Sequence, residues 1–414
     1  MEKEMKARPE WYKWVIVACC CLTSMSAIYG DCVMVPRALE VMETFQLAPQ
    51  QFAMVATAGL LIPVFISFFV GGAADKMGAK NIVTIGFCIT IVAGIARIFV
   101  SSFWPLFLLT FFAATCGAIM NAIVAKILSS WLGVNTGRGI GIMVAMAMLG
   151  QAAAMATGAL FPSLNMAFIG AAVVAAVSLL VWLALAQERP AGVPPVKSES
   201  VVKGMGIVLR NKNVWFAGLG LLLFMGGNIT ANKFLAASLT EVYQIDIPTA
   251  GLIASVFSIG LLVGNLVWPN LAIKMGRQKP IIVCIAALSA VLVYVNFLVG
   301  GTPFVFVTTF LTGALAGGIQ PIFMTSAAII PDVPDDLRGT AGGAISTLMM
   351  LGAFCIPSYV ITPIVSTATG TDYNLLFILA GVCFLLIMLL ALIAPDVQAL
   401  AKKHQQEKVE GEQA

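Results

Sequence analysis

Two ionisable side chains lie deep inside apolar runs and bound the chemistry open to this chain: Asp31, 17 residues beyond Trp14, and Lys233, 20 residues beyond Asn213. A charge at the centre of a bilayer costs about 2.5–3.5 kcal/mol on insertion scales, so each needs a partner or a function. With about 1.5 Å rise per residue, both sit roughly 25–30 Å along helical runs. Three roles are open. Asp31 carries protons or belongs to a gate, since a buried carboxylate can load and release a proton. Alternatively Lys233 anchors a substrate carboxylate, with Asp31 as its counter-ion in the empty state. In the third role, one or both reach the outer interface as solvated groups.

Polar uncharged residues extend the candidate set: Tyr29, Asn121, Gln151, Asn228, Asn232, Gln320 and Tyr359. Such groups hydrogen-bond a substrate in a mostly apolar cavity, or they tie helices together. Arg97 lies four residues before Ser101 and is expected to snorkel to the outer headgroups, while Lys126, near the inner end of its run, reaches cytoplasmic water or lipid phosphate. Metal, redox and hydrolytic chemistry find no support. The nine cysteines have no ligand-like spacing and the single histidine is His404, so no metal or cofactor is expected and the cysteines read as small buried hydrophobes. Without a clustered nucleophile and base the chain is not expected to be an enzyme. It lacks the Gly-rich phosphate loop of an ATP-driven pump, and nothing suggests nucleic acid.

The elements that must hold these residues follow from composition. At 60% hydrophobic and 10% charged, the chain is far from the roughly 25% charged residues of a soluble domain. Its apolar residues come in blocks of about 20, the length of a membrane-crossing helix. A membrane β-barrel would show short alternating segments instead. The expectation is an all-α integral membrane protein with twelve transmembrane helices in two six-helix bundles.

In order, residues 1–13 form a cytoplasmic leader with Trp11 and Tyr12 as interfacial anchors; residues 14–186 hold the first bundle, with spans at about 14–36, 51–71, 81–101, 106–128, 138–161 and 166–186. The leader bears both signs of charge and precedes an apolar run too long for a signal core, so the first helix is expected to persist. Residues 187–212, with Pro190, Pro194 and Pro195, read as a linker. The second bundle, 213–394, has spans at about 213–237, 249–271, 280–300, 303–330, 339–365 and 373–394, and a charged tail follows at 395–414. Of 23 Lys and Arg, 19 fall in the leader, the even-numbered loops and the tail, and Arg37 alone falls in an opposite loop. The positive-inside rule then makes both termini and the linker cytoplasmic. Pro321 should kink the tenth span, and the glycines at 139, 141, 150 and 158 should let the fifth pack closely.

An internal repeat supports the doubling. Gly117-Ala118-Ile119 matches Gly317-Gly318-Ile319 and Arg138-Gly139 matches Arg338-Gly339; Leu39-Glu40-Val41 and Lys76-Met77-Gly78 recur at Thr240-Glu241-Val242 and Lys274-Met275-Gly276. Four ordered matches at nearly one offset mark homologous halves, and the offset aligns Asp31 with Asn232, beside Lys233. Between spans two and three runs Gly71-x-x-x-Asp75-Lys76-x-Gly78-x-Lys80.

That loop resembles the signature of the major facilitator superfamily, with Ala79 where a basic residue is usual and Ile273 replacing the aspartate in the second copy. The resemblance extends to the twelve spans, the central linker and the doubled halves. It implies a central cavity lined by spans one, four, seven and ten, with spans two, five, eight and eleven at the gates and three, six, nine and twelve facing lipid. Asp31 and Lys233 would then face each other as a pair that forms when the outside closes. Asp75 would meet a helix end or Arg138, with Arg338 its counterpart, to shut the cytoplasmic side. It also implies a carrier in the cell membrane, inner or plasma, working by alternating access. The solute expected is a small organic anion, a carboxylate, moved with protons or against a counter-anion, and the chain is expected to act as a monomer. The other reading is proton-driven efflux of amphipathic drugs, suggested by the Met- and Phe-rich spans.

Overall fold

The computed structural model describes residues 9–190, 205–328, 337–367 and 370–396. Most of the leader, linker positions 191–204 and the tail from 397, with His404, lie outside the described residues. Twelve helices among the described residues are long and apolar enough to cross a membrane. They divide between two compact units, Met1–Glu199 and Ser200–Ala414.

In the first unit the spans are Tyr12–Phe45, Pro49–Ile66, Ala79–Phe99, Phe103–Leu132, Thr136–Gly158 and Leu164–Leu185. In the second they are Lys212–Tyr243, Ile247–Met275, Lys279–Leu298, Val305–Met324, Thr340–Val365 and Tyr373–Ile393. They are numbered one to twelve below. The end of each unit that carries the loop between its second and third spans is called the loop end, and the opposite one the far end.

Helical structure runs further than hydropathy suggests. The segment between the expected ends of spans one and two, with Glu40 and Glu43, continues span one as a 3-10 turn over Val35–Arg37 and a helix over Ala38–Phe45. Pro36 cannot donate to the α-helical ladder, so the chain tightens there and resumes. Span seven likewise runs on to Tyr243. Both stop at a glutamine in the left-handed region, Gln46 with φ 50° and Gln244 with φ 56°. Span eight starts on a side-chain cap: Asp246 accepts from the Thr249 amide and hydroxyl, each at 3.0 Å, and these bonds hold its carboxyl below the usual range.

Small residues set the helix contacts. A Cβ on Gly150 would lie 2.6 Å from the Met25 carbonyl oxygen, and one on Gly158 would collide with the Val33 carbonyl, so span five packs on span one backbone to backbone. In the second unit Gly352 brings span eleven equally close to the Leu222 carbonyl of span seven. Span ten breaks at Gly317 and Gly318, between helices Val305–Ala316 and Ile319–Ala328. Pro321 supplies no N–H to the Gly317 carbonyl four residues back, which places the break where the proline requires it. Span four has a matching interruption at Ala114, between Phe103–Ala113 and Thr115–Leu132.

Candidate functional site

Lys233 is 2% exposed, and Asn232 and Asn228 beside it are 1% and 7% exposed. Helical spacing puts Lys233 on the stripe of Leu222 and Gly226, which meet Gly352 and Ile356 of span eleven. That neighbour leaves the α-helical ladder at the same level: Ile356–Ile361 is a π-helical segment carrying Tyr359. A π-segment widens the ladder by one residue and is frequent at functional sites. Tyr359 is exposed and edge-on to Phe354, with ring centroids 5.8 Å apart. Asn228 Oδ1 is buried and accepts no hydrogen bond among the described residues, an acceptor open to a ligand hydroxyl or water. Gln320 is half-buried at the start of the second segment of span ten.

In the first unit, Asn121 is exposed on span four and Gln151 is half-buried on span five. Tyr29 is buried and its hydroxyl lies 2.8 Å from Thr157 Oγ1, so here it ties span one to span five. Lys126 is half-buried near the loop end of span four. Asp31 is turned into its own bundle: a Cβ on Gly59 of span two would lie 3.0 Å from Asp31 Oδ1 and 2.7 Å from Ala114 Cβ. The thiol of Cys32 lies 3.9 Å from Oδ2.

Arg97 departs from expectation. It does not snorkel; it is 2% exposed, with its guanidinium carbon 4.8 Å from the Phe168 ring centroid of span six. Packing against span six encloses it, an arrangement that the sequence of span three alone does not report.

At the loop end, Gly78 has φ +87°, and a Cβ there would collide with Glu188 Oε1. Glu188 also accepts from the Lys80 amide at 2.8 Å, while Lys80 Nζ donates to the Leu183 carbonyl at 2.8 Å. The first turn of span three and the last of span six therefore cap each other. The second unit repeats the device: Lys279 Nζ donates to the carbonyls of Leu392 and Ala394 at 2.6 and 3.0 Å, and Asp396 accepts from the amides of Gln278 and Lys279 at 3.4 and 3.3 Å. Sequence reasoning missed these ties. The available signal was an acid just past spans six and twelve and a lysine opening spans three and nine. In the rest of the loop Gly71 and Asp75 fall in the helix Ile62–Met77, and Lys76 and Arg138 are exposed. The side chains of Asp75 and Arg338 lie outside the described residues, as does the contact expected of Asp75.

A second pair of ties closes the far ends. Arg37, itself buried, donates to Glu40 at 2.5 Å and to the Phe161 carbonyl, and Glu40 accepts from the Leu164 amide at 3.1 Å. In the other unit the repeat-matched Glu241 accepts from the Tyr373 hydroxyl at 2.8 Å. Span six is thus fastened to span one, and span twelve to span seven.

Known proteins share this architecture. A mutant form of the nucleoside transporter NupG superposes with a TM-score of 0.76 at 18% identity, covering 92% of this chain and 99% of that one. A bacterial homolog of the human lysosomal transporter Spinster, inward-facing and unoccupied, gives 0.71 at 14% identity, with 96% and 98% covered. By sequence, an uncharacterized protein of Archaeoglobus fulgidus is 28% identical over 147 residues, 35% of this chain and 66% of that protein. The benzoate transport protein of Acinetobacter baylyi is 26% identical over 203 residues, 46% of this chain. The match spans only 40% of that transporter's own length. The family model described as Major Facilitator Superfamily matches residues 16–237 and again 219–412. Two matches to one model, one per half, agree with the doubled signature loop and twelve spans: this multi-pass membrane protein belongs to the major facilitator superfamily.

Proposed function

We propose that this transporter moves a small organic anion, a carboxylate, by alternating access. The observation that carries the reading is Lys233, a cation 2% exposed on span seven beside two buried asparagines. A buried intramembrane ammonium can bind a carboxylate, and a substrate carboxylate engages Lys233 during transport. Similarity to a benzoate transport protein supports the same class, since benzoate is itself a carboxylate. In the second unit Asn228, Asn232, Gln320 and Tyr359 serve as hydrogen-bonding groups; in the first, the candidates are Asn121, Gln151 and Tyr29.

Transport is driven by protons or by a counter-anion, with Asp31 in the gate or the coupling step. The signature loop and Arg138, with Arg338 its counterpart, act on the cytoplasmic side. The protein works as a monomer in the cell membrane with both termini inside. Counterflow of benzoate and other radiolabelled carboxylates into liposomes tests the reading. Lys233→Ala should lower it by at least about tenfold, the equivalent of 1.4 kcal/mol, in protein that still elutes as a monodisperse peak. Undiminished counterflow in that variant removes Lys233 from the site.

A further inference from the structure

Span ten is joined to span eight up to its break and to span seven beyond it. Gly260 and Gly264 of span eight face Gly313 and Gly317 of span ten. A Cβ on any of the four would collide with a main-chain oxygen of the other helix, that of Phe310, Ala314, Phe257 and Leu261 in turn. Small residues four apart on both helices make a close backbone-to-backbone joint in lipid. The joint ends at Gly317. Beyond it the segment Ile319–Ala328 meets span seven, where a Cβ on Gly220 would lie 2.6 Å from the Phe323 ring. Gln320 stands about one helical turn before Phe323.

The break takes the usual donor from one carbonyl. In an uninterrupted α-helix the Gly318 amide would donate to Ala314; it donates instead to Leu315, at 3.4 Å. A carbonyl freed at membrane depth has to be satisfied by a neighbouring helix. Span eight does so: half-buried Trp268 donates from its indole Nε1 to the Ala314 oxygen at 2.7 Å. Trp268 follows Gly264 by one turn on the stripe that faces span ten, and the three atoms nearest to a Cβ on Gly318 all belong to it. The repeat-matched interruption of span four closes differently, with the Ala118 amide donating to the Ala114 carbonyl at 3.1 Å. There the chain repairs its own ladder, whereas the second unit uses a side chain of another span.

We infer that Trp268 is a positioning residue of the carrier: its indole N–H latches the span-ten break and so sets where Gln320 stands against span seven. Gly317 and Gly318 are the joint, Val305–Ala316 is the fixed arm and Ile319–Ala328 is the arm that the latch aims. The latch stands on this geometry; its effect on transport rests on Gln320 belonging to the substrate site proposed above.

The test is Trp268→Phe in purified full-length protein, which keeps a ring in the slot and removes the N–H. Without substrate, hydrogen exchange should speed severalfold in residues 319–328 and keep the parent rate in 305–316. In counterflow of benzoate the half-saturation concentration should rise about threefold or more, with the maximal rate within about twofold of the parent, a split that general loosening would not produce. Gly318→Ala reaches the same bond from the other side by pushing the indole off the carbonyl. It should give the same local exchange pattern, and it decides the matter if Trp268→Phe does not fold. Equal acceleration in both segments, no acceleration in either, or failure of both variants to fold overturns the latch. Local acceleration with an unchanged half-saturation concentration overturns the positioning role. If the parent moves no carboxylate, the substrate reading fails by itself, and exchange still decides the latch.

Discussion

At the scale of single residues, burial separates groups that composition treats alike. Lys233 and Arg97 are both cations in apolar runs, and both are 2% exposed. Their surroundings differ: Arg97 lies against the Phe168 ring, whereas Lys233 shares its helix with the amides of Asn228 and Asn232. Asn228→Leu keeps the branched outline of the side chain and removes the buried acceptor. It should leave folding intact and weaken substrate affinity by about tenfold, read as a raised half-saturation concentration in counterflow. Asp246 gives a prediction in pH. Its folded carboxyl lies below the ordinary range because the Thr249 amide and hydroxyl favour the charged form, so its contribution is present at neutral pH and above. That contribution is lost as pH falls through the lowered value. Asp246→Asn should therefore lower the melting temperature slightly at neutral pH, leave it nearly unchanged in acid, and so flatten the acid limb of the pH profile. The sequence singled out Asp31 and Lys233 as deep charges; Lys233 is 2% exposed and Asp31 half-buried, while Arg97, expected at the headgroups, is as buried as Lys233. The sequence could not show which neighbours they meet, because side-chain direction depends on helix rotation, which twelve almost uniformly apolar spans barely encode.

Among the helices, the spans were legible because a length of about 20 apolar residues is forced by the bilayer. Their ends were not. Span one continues past Pro36, and span seven runs to Tyr243, because polar residues at those helix ends satisfy one another and no lipid boundary is needed to stop them. The break in span ten was legible from Pro321, and the tight packing of span five from its glycines. Gly158→Leu should separate spans one and five and lower the melting temperature by about 5 °C or more, since a side chain there meets the Val33 backbone. Gly141→Leu is the control: nothing lies within 4 Å of a Cβ at that position, and the same substitution should be nearly silent.

For the whole molecule, duplication explains why one sequence carries two of each device. Glu40 and Glu241 tie the far ends, and Lys80 and Lys279 the loop ends, so spans six and twelve are each fastened to their own unit at both ends. Each unit should therefore behave as a single body: hydrogen exchange within spans six and twelve should stay slow and unaltered when a transported carboxylate is added. The lysine ties have an evolutionary corollary. Lys80 and Lys279 grip main-chain oxygens, at Leu183, Leu392 and Ala394, and a carbonyl is the same on every amino acid. The fastening is therefore indifferent to which side chains occupy those last turns, leaving them free to drift toward whatever lipid a host membrane offers while the joint beneath stays closed.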